Sequence, residues 1–186
     1  VADIITINEP QPLQTTIKLS DYNGYEIRCN GDSTGWIEVF PISGGTHPYI
    51  KTWFNAQGDT VQSGPSISID SLNAGLYNLI VQDDNGCMKS EFITLTEPTP
   101  LQHNIVTTHV TCDGWTNGSI TDSVFGGVPG YTYMWNTGDT TYTINNLPIG
   151  PYSITVTDEN NCQSTAGTIV NDNNKLVATL STIQDV

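Results

Sequence analysis

The sequence predicts an all-β protein built of tandem β-sandwiches, and two observations lead to this prediction. An ordered set of landmark residues occurs twice, and such a repeat implies one module built twice. Short runs of alternating apolar and polar residues, bounded by Gly, Pro, Asn and Asp, are typical of strands, and no run has a helical period.

Each copy contains a Cys, a Gly-Gly-x-x-x-Tyr-x-x-x-Trp block, a Leu-x-x-Gly-x-Tyr block and a closing Asp-x-x-x-Cys. In the first copy these landmarks are Cys29, Gly44, Gly45, Tyr49, Trp53, Leu72, Gly75, Tyr77, Asp83 and Cys87. In the second copy they are Cys112, Gly126, Gly127, Tyr131, Trp135, Leu147, Gly150, Tyr152, Asp158 and Cys162.

The landmarks divide the chain into two complete copies and two partial ones. Residues 9–96 and 97–172 are the complete copies, since the Glu-Pro pair that opens the first returns at the start of the second. Residues 1–8 align with the end of the first copy and predict the last strand of a preceding repeat. Residues 173–186 align with the start of a copy and predict the first strand of a following repeat.

The strands of the first copy follow one another between turn residues. They are predicted at residues 13–19, 36–40, 49–54, 66–70, 77–83 and 87–96. The run from Tyr77 places Tyr, Leu, Val and Asp on one face and mostly polar residues on the other, which indicates a strand with one face buried. Asn85-Gly86 then favours the positive φ angles of a tight hairpin turn.

The core residues favour immunoglobulin-like (PKD-like) sandwiches. Trp53 and Trp135 fall on the third strand, where such folds place a buried indole. Tyr77 and Tyr152 follow Leu-x-x-Gly-x, as a tyrosine corner does. Aliphatic residues stand two positions later, where antibody domains have an inter-sheet Cys, so packing alone must hold each core.

Composition restricts the class of partner and the compartment. With 19 acidic residues against 5 Lys and Arg, the net charge of -14 repels phosphate backbones and excludes nucleic acid as a partner. No segment is predicted to insert into a membrane. Two Cys at matching positions in each copy indicate an oxidising, extracellular setting, and four buried free thiols are the alternative.

The ordered landmarks, together with the Glu-Pro that directly follows the first copy, resemble the SprB-type repeat of long cell-surface adhesins of gliding Bacteroidota. Asn161 in place of the turn Gly and Asp172-Asn173 in place of Glu-Pro depart from that pattern. The resemblance implies a stiff stalk of sandwiches on the cell surface, exported by the type IX route. Its partners would be neighbouring repeats of the same chain, with an extracellular surface or a polysaccharide as the target.

The resemblance also implies surface modification. Exported proteins of that phylum often carry O-glycans at Asp-Ser or Asp-Thr, which makes Thr60, Ser71 and Ser123 the candidates. Thr60 is favoured because it falls on a predicted loop that the second copy lacks, whereas Ser123 falls within a strand.

Catalysis is not predicted. His47, His103 and His109 share no metal-ligand spacing with one another or with Cys, and no nucleophile or phosphate-binding motif occurs. His103 and His109 are interpreted as surface or edge residues on the first strand of the second copy.

The acidic turns permit one cofactor, Ca²⁺. Asp83 and Asp84, with their counterparts Asp158 and Glu159, supply oxygen ligands of the kind that Ca²⁺ prefers. Asp also favours turns by bonding its own backbone, so a structural role without metal is the alternative.

Two Trp outside the predicted core suggest an alternative function as a carbohydrate-binding module. Trp36 lies at a strand start and Trp115 in a turn, and exposed aromatic rings often stack on sugars. Packing against a neighbouring loop or module is the structural interpretation of both.

The pairing of the cysteines follows from the predicted topology. Cys29 and Cys87 should lie at opposite ends of one sandwich, ~25 to 30 Å apart, which a disulfide cannot bridge. We therefore predict a bridge from Cys29 to Cys162 between copies, with Cys87 reaching back to a preceding repeat and Cys112 forward to the next. Pairing within each copy, Cys29 with Cys87 and Cys112 with Cys162, is the alternative if the strand order differs.

Overall fold

A computed structural model describes residues 9–172, and all regular secondary structure in that range is β-strand. The chain divides into two compact units with the boundary between Pro100 and Leu101. We call the part up to Pro100 unit one and the part from Leu101 unit two. The partial repeats predicted at 1–8 and 173–186 lie outside the described residues.

Unit one contains seven of the described strands in two antiparallel sheets. The strands are β1 (Ile17–Leu19), β2 (Gly35–Val39), β3 (Ile50–Phe54), β4 (Thr60–Gly64), β5 (Ser68–Leu72), β6 (Gly75–Gln82) and β7 (Met88–Leu95). One sheet has the order β1-β2-β5 and the other the order β4-β3-β6-β7. Buried residues of both sheets form one core, so the unit is a β-sandwich.

Unit two repeats this plan with six described strands. They are β8 (Gln102–Thr108), β9 (Gly118–Phe125), β10 (Thr132–Trp135), β11 (Thr143–Leu147), β12 (Gly150–Thr157) and β13 (Gln163–Val170). The sheets have the orders β11-β9-β8 and β10-β12-β13. The all-β, tandem immunoglobulin-like sandwich predicted from the sequence is therefore confirmed.

Alternation along the strands explains why these residues form sandwiches. In β6, Tyr77, Leu79 and Val81 are buried, while the residues between them point to the other face. β12 repeats the pattern with Tyr152, Ile154 and Val156. Each strand therefore fixes which face of its sheet meets the core.

Two predicted strands of unit one differ from the structure. The first was predicted at 13–19, but Gln14 makes only an isolated bridge to Ser43 and the ladder with β2 begins at Ile17. The fifth was predicted at 66–70, and β5 instead occupies Ser68–Leu72.

Strand β4 has no counterpart in the sequence prediction. The chain reverses after Phe54 because the Asn55 side-chain oxygen accepts the N–H groups of Gln57 and Asp59, which closes a tight turn. The returning Thr60–Gly64 then pairs with β3.

Candidate functional site

The closing Asp of each copy joins two loops at one end of its unit. In unit one, Asp83 Oδ2 accepts the Thr46 N–H at 2.8 Å and Oδ1 accepts the Cys87 N–H at 2.8 Å. The Thr46 N–H is the largest cause of a pKa held below the usual value of the Asp83 carboxyl, and burial only partly opposes it. Asp83 therefore holds the β2–β3 loop against the β6–β7 turn as a carboxylate.

Asp158 makes the same connection in unit two. Its Oδ2 accepts the Val128 N–H at 2.9 Å and its Oδ1 accepts the Cys162 N–H at 2.8 Å. The spacing of Asp-x-x-x-Cys thus closes a hairpin, because the carboxylate accepts the amide of the Cys that directly precedes the returning strand.

The second Gly of each Gly-Gly pair makes room for this carboxylate. A Cβ at Gly45 would lie 2.8 Å from Asp83 Oδ2 and 2.7 Å from the Leu13 side chain, and its φ is +62°. Gly127 is equally restricted, since its Cβ would lie 2.6 Å from Asp158 Oδ2 and its φ is +60°. The Gly-Gly pair and the closing Asp, which are far apart in the sequence, are therefore in contact in each unit.

The other end of unit one is held by the Glu of the Glu-Pro pair. Glu97 accepts hydrogen bonds from the Asn30 side-chain amide at 2.9 Å and from the Gly31 N–H at 2.7 Å. Pro98 is buried beside them, and its carbonyl accepts a second bond from Asn30. Glu-Pro therefore fixes the loop that follows Cys29.

Part of unit two matches a known repeat family. Residues 104–140 match the SprB repeat family model. The resemblance indicated by the sequence is thus confirmed on the first half of unit two, and the Gly-Gly pair of that unit lies within the match.

Solved structures of other proteins align with this chain at low sequence identity. Three N-terminal domains of the Highly Immunogenic Outer Capsid protein (Hoc) of bacteriophage RB49 align with a TM-score of 0.51 at 18% identity, over 86% of this chain and 59% of that one. This chain therefore spans less than two thirds of that structure. The ectodomain of mouse nectin-like molecule 4 aligns at 0.39 and 11% identity, over 88% and 66% of the two chains. No curated protein matches the sequence significantly.

The two cysteines of unit one lie at opposite ends of its sandwich. Cys87 directly precedes β7, whereas the loop of Cys29 bonds Glu97 beyond the far end of that strand. Eight residues of β7 at about 3.3 Å each separate the two ends by ~26 Å, too far for a disulfide. Cys87 and Cys112 are free, exposed thiols, and Cys29 and Cys162 are each disulfide-bonded. Pairing within each copy, the alternative in the sequence analysis, is therefore wrong.

The core signature residues lie where the two sheets meet. Trp53 and Trp135 are almost fully buried. The Tyr77 hydroxyl donates to the Asn73 carbonyl at 3.0 Å and the Tyr152 hydroxyl to the Pro148 carbonyl at 3.0 Å, each four residues upstream. Burial raises the pKa of both tyrosines.

Backbone hydrogen bonds hold the acidic turns. Asp84 and Glu159 are exposed, while both oxygens of Asp83 and of Asp158 accept backbone N–H groups. Within residues 9–172, no three His, Cys, Asp or Glu side chains are grouped to hold a metal ion. The described contacts of Asp83 and Asp158 are those of turn formation.

The two peripheral Trp have different surroundings. Trp36 is half-buried on β2, with Lys18 Nζ 5.7 Å from its ring centre. Trp115 is 57% exposed in the loop before β9. Only Trp115 offers most of its ring to a ligand.

The three candidate modification sites are all exposed, but one lies in a different element from that predicted. Thr60 opens the edge strand β4, so it is not on a loop. Ser71 and Ser123 lie on β5 and β9. The Asp122 before Ser123 is buried.

His103 lies on the edge strand β8, in agreement with one part of its interpretation, but its side chain is not at the surface. Its side chain is 9% exposed, and Nδ1 lies 2.7 Å from Oδ2 of Asp122, whose side chain is fully buried. The remaining polar atoms of the pair, His103 Nε2 and Asp122 Oδ1, are buried without a partner among the described residues. The sequence contained a signal for this burial, because alternation along Gly118–Phe125 places Asp122 on the same face of the strand as the core residue Ile120.

No helix within residues 9–172 is long and apolar enough to cross a membrane.

Proposed function

We infer that this chain is a structural repeat segment of a long, secreted cell-surface adhesin, in which SprB-type sandwiches form a stiff stalk. The observation that supports this function is the SprB repeat match at residues 104–140. The landmark residues close turns, fix loops and fill cores, which are the tasks of a scaffold. Cell attachment and gliding motility are the processes that such a stalk would serve.

The surface chemistry supports an extracellular location. A disulfide persists in oxidising compartments, and Cys29 and Cys162 are disulfide-bonded. The net charge of -14 keeps a repetitive β-protein soluble and disfavours contact with nucleic acid.

The stalk is proposed to be stapled by disulfides between modules. The bridge joins Cys29 to Cys162, and the free thiols Cys87 and Cys112 are exposed for partners in adjacent repeats. In the chain-entropy model, a loop of this length restricts the unfolded chain by about 4 to 5 kcal/mol. Non-reducing peptide mapping should yield the Cys29–Cys162 crosslink; its absence from folded, non-reduced protein would contradict the staple.

The adhesin role is tested on the intact cells that produce the protein. Antibodies against this segment should label extracellular fibres by immunogold electron microscopy without permeabilisation. An in-frame deletion of residues 9–172 should shorten those fibres while leaving export intact. Labelling confined to the cell interior, or fibres of unchanged length, would contradict the proposal.

Carbohydrate binding is the second candidate, and the exposure of the Trp115 ring favours it. A glycan array should then show a reproducible hit that Trp115→Ala removes and Trp36→Ala leaves. A hit that survives Trp115→Ala would not come from this ring, and no hit at all would leave the stalk as the function.

A further inference from the structure

One face of the four-stranded sheet of unit one is apolar and open to solvent. Ladder register places six apolar side chains on the face that turns away from the core, namely Ile50, Phe54, Leu76, Ile80, Met88 and Phe92. We call these six residues the apolar face. Phe92 is 69% exposed and Met88 68%, and Phe54, Leu76, Ile80 and Phe92 line an open depression of about 360 Å³.

The same face carries no charged side chain on the described strands β3, β6 and β7. The residues between the apolar ones are Thr52, Asn78, Gln82, Ser90 and Thr94. The three charged residues of these strands, Lys51, Lys89 and Glu91, are paired with the buried Val81 and Leu79 and so lie in the core-facing rows. An uncharged face is unusual in a chain with a net charge of -14.

Unit two shows that the fold does not require this apolar face. The equivalent positions there, read from the matching ladders, are Thr132, Asn136, Pro151, Thr155, Gln163 and Gly167. All six apolar residues are replaced by polar residues, Gly or Pro in the same sandwich. Since folding is satisfied without them, the apolar residues of unit one indicate a contact with something else.

We propose that the apolar face of unit one associates with the same face of a second copy of this chain. Two chains of charge -14 repel one another, and a charge-free face is where they can touch without opposing like charges. A positively charged partner would instead be attracted by acidic residues, and this face has none on β3, β6 and β7.

The size of the face sets the strength of this contact. Four strands about 4.8 Å apart, at most eight residues long at about 3.3 Å per residue, give roughly 500 Å² per copy. Stable interfaces bury about 800 Å² per partner, so a single pair of units associates weakly and reversibly. In the repeat array of the proposed function, weak contacts from those repeats that carry an apolar face, as unit one does and unit two does not, would add along adjacent filaments.

Sedimentation velocity on the 186-residue chain tests the proposal. The free thiols Cys87 and Cys112 are first blocked with N-ethylmaleimide, so that no intermolecular disulfide forms. A dimer should appear as the protein concentration rises from about 10 μM to about 1 mM, the range of weak association. It should increase when salt is raised from about 0.05 to about 0.5 M, because screening reduces the repulsion.

Matched variants decide which face is used. Met88→Gln with Phe92→Ser should weaken the dimer at least about tenfold. Met134→Gln changes a Met that is 54% exposed on the corresponding sheet of unit two, and it should leave the dimer unchanged. Circular dichroism melts confirm that each variant is folded.

Several results would overturn the proposal. They are a monomer at all concentrations and both salts, a dimer that weakens with salt, and equal loss in the Met134→Gln control. Binding of a neutral dextran at Phe92 without self-association would assign the face to a different occupant.

Discussion

Unit one and unit two share their landmarks but differ at their edges and in one core position. Unit one extends the sheet of its core Trp with β4, whereas within residues 101–172 no strand corresponds to β4. Where unit one has the apolar Val39 facing its core, unit two has the carboxylate of Asp122. Both units keep the turn contacts of Asp83 and Asp158, whereas their edges, their outer faces and this core position differ, so the sandwich depends on the turn contacts and tolerates change elsewhere.

The largest expected effect concerns the two core indoles. Trp53→Ala and Trp135→Ala should each cost about 3 to 5 kcal/mol in unfolding free energy. Trp135 Nε1 donates to the Thr141 carbonyl at 2.8 Å, whereas Trp53 Nε1 has no partner among the described residues. Trp135→Phe should therefore cost more than Trp53→Phe, by about 1 kcal/mol.

Hydrogen exchange monitored by mass spectrometry at increasing denaturant concentration measures the unfolding free energy of each unit separately. Equal costs of the two Phe variants would show that the Trp135 hydrogen bond contributes nothing to stability.

The second effect concerns the buried pair of unit two. Each partner can be replaced by the residue at the equivalent position of unit one, which gives His103→Thr (Thr15) and Asp122→Val (Val39). Each single variant should destabilise unit two by about 1 to 3 kcal/mol, because it leaves a buried polar partner without its hydrogen bond. The double variant should cost less than the sum, because it removes both polar groups.

A double-mutant cycle measures this coupling, with the exposed Ser123→Ala on the same strand as control. The pKa of Tyr133 gives a second readout. It is raised first by burial and then by the charge of Asp122, so Asp122→Val should lower it only in part. Additive costs would contradict a direct interaction.

The smallest effect is the response of unit one to acid. The pKa of Asp83 is held below its ordinary value of 3.8, so the folded state binds this proton less readily than the unfolded state. The Asp83 carboxylate therefore stabilises the folded state at pH values above the pKa of the unfolded state. This stabilisation is lost as the pH falls through the lower pKa of the folded state. Glu91 adds in the same direction, because hydrogen bonds from Lys89 and Thr15 lower its pKa.

Thermal melts between about pH 5 and pH 2 should therefore show falling stability of unit one, and Asp83→Asn should flatten the curve. The neighbouring, exposed Asp84→Asn is the matched control. An unchanged pH curve in Asp83→Asn would show that this carboxylate is not the acid-sensitive group.

The sequence could predict the elements whose signal is local. Alternation and Gly-bounded turns indicated β6 and its hairpin, and the paired landmarks indicated two modules. The sequence did not predict β4, because none of the residues of Thr60–Gly64 is buried and the segment has no alternation of apolar and polar residues. Its pairing with β3 depends on a turn that the Asn55 side chain closes.

By itself the sequence determined the fold class, because burial of one strand face requires a period of two and a repeat requires a repeated module. Tertiary structure alone decided that Gly45, Asp83 and Leu13 meet, that His103 pairs with Asp122, and that the apolar residues of β3, β6 and β7 share one uncharged face. These relations join residues on different strands. Their distances depend on ladder register and sheet packing, which no local pattern of the chain specifies.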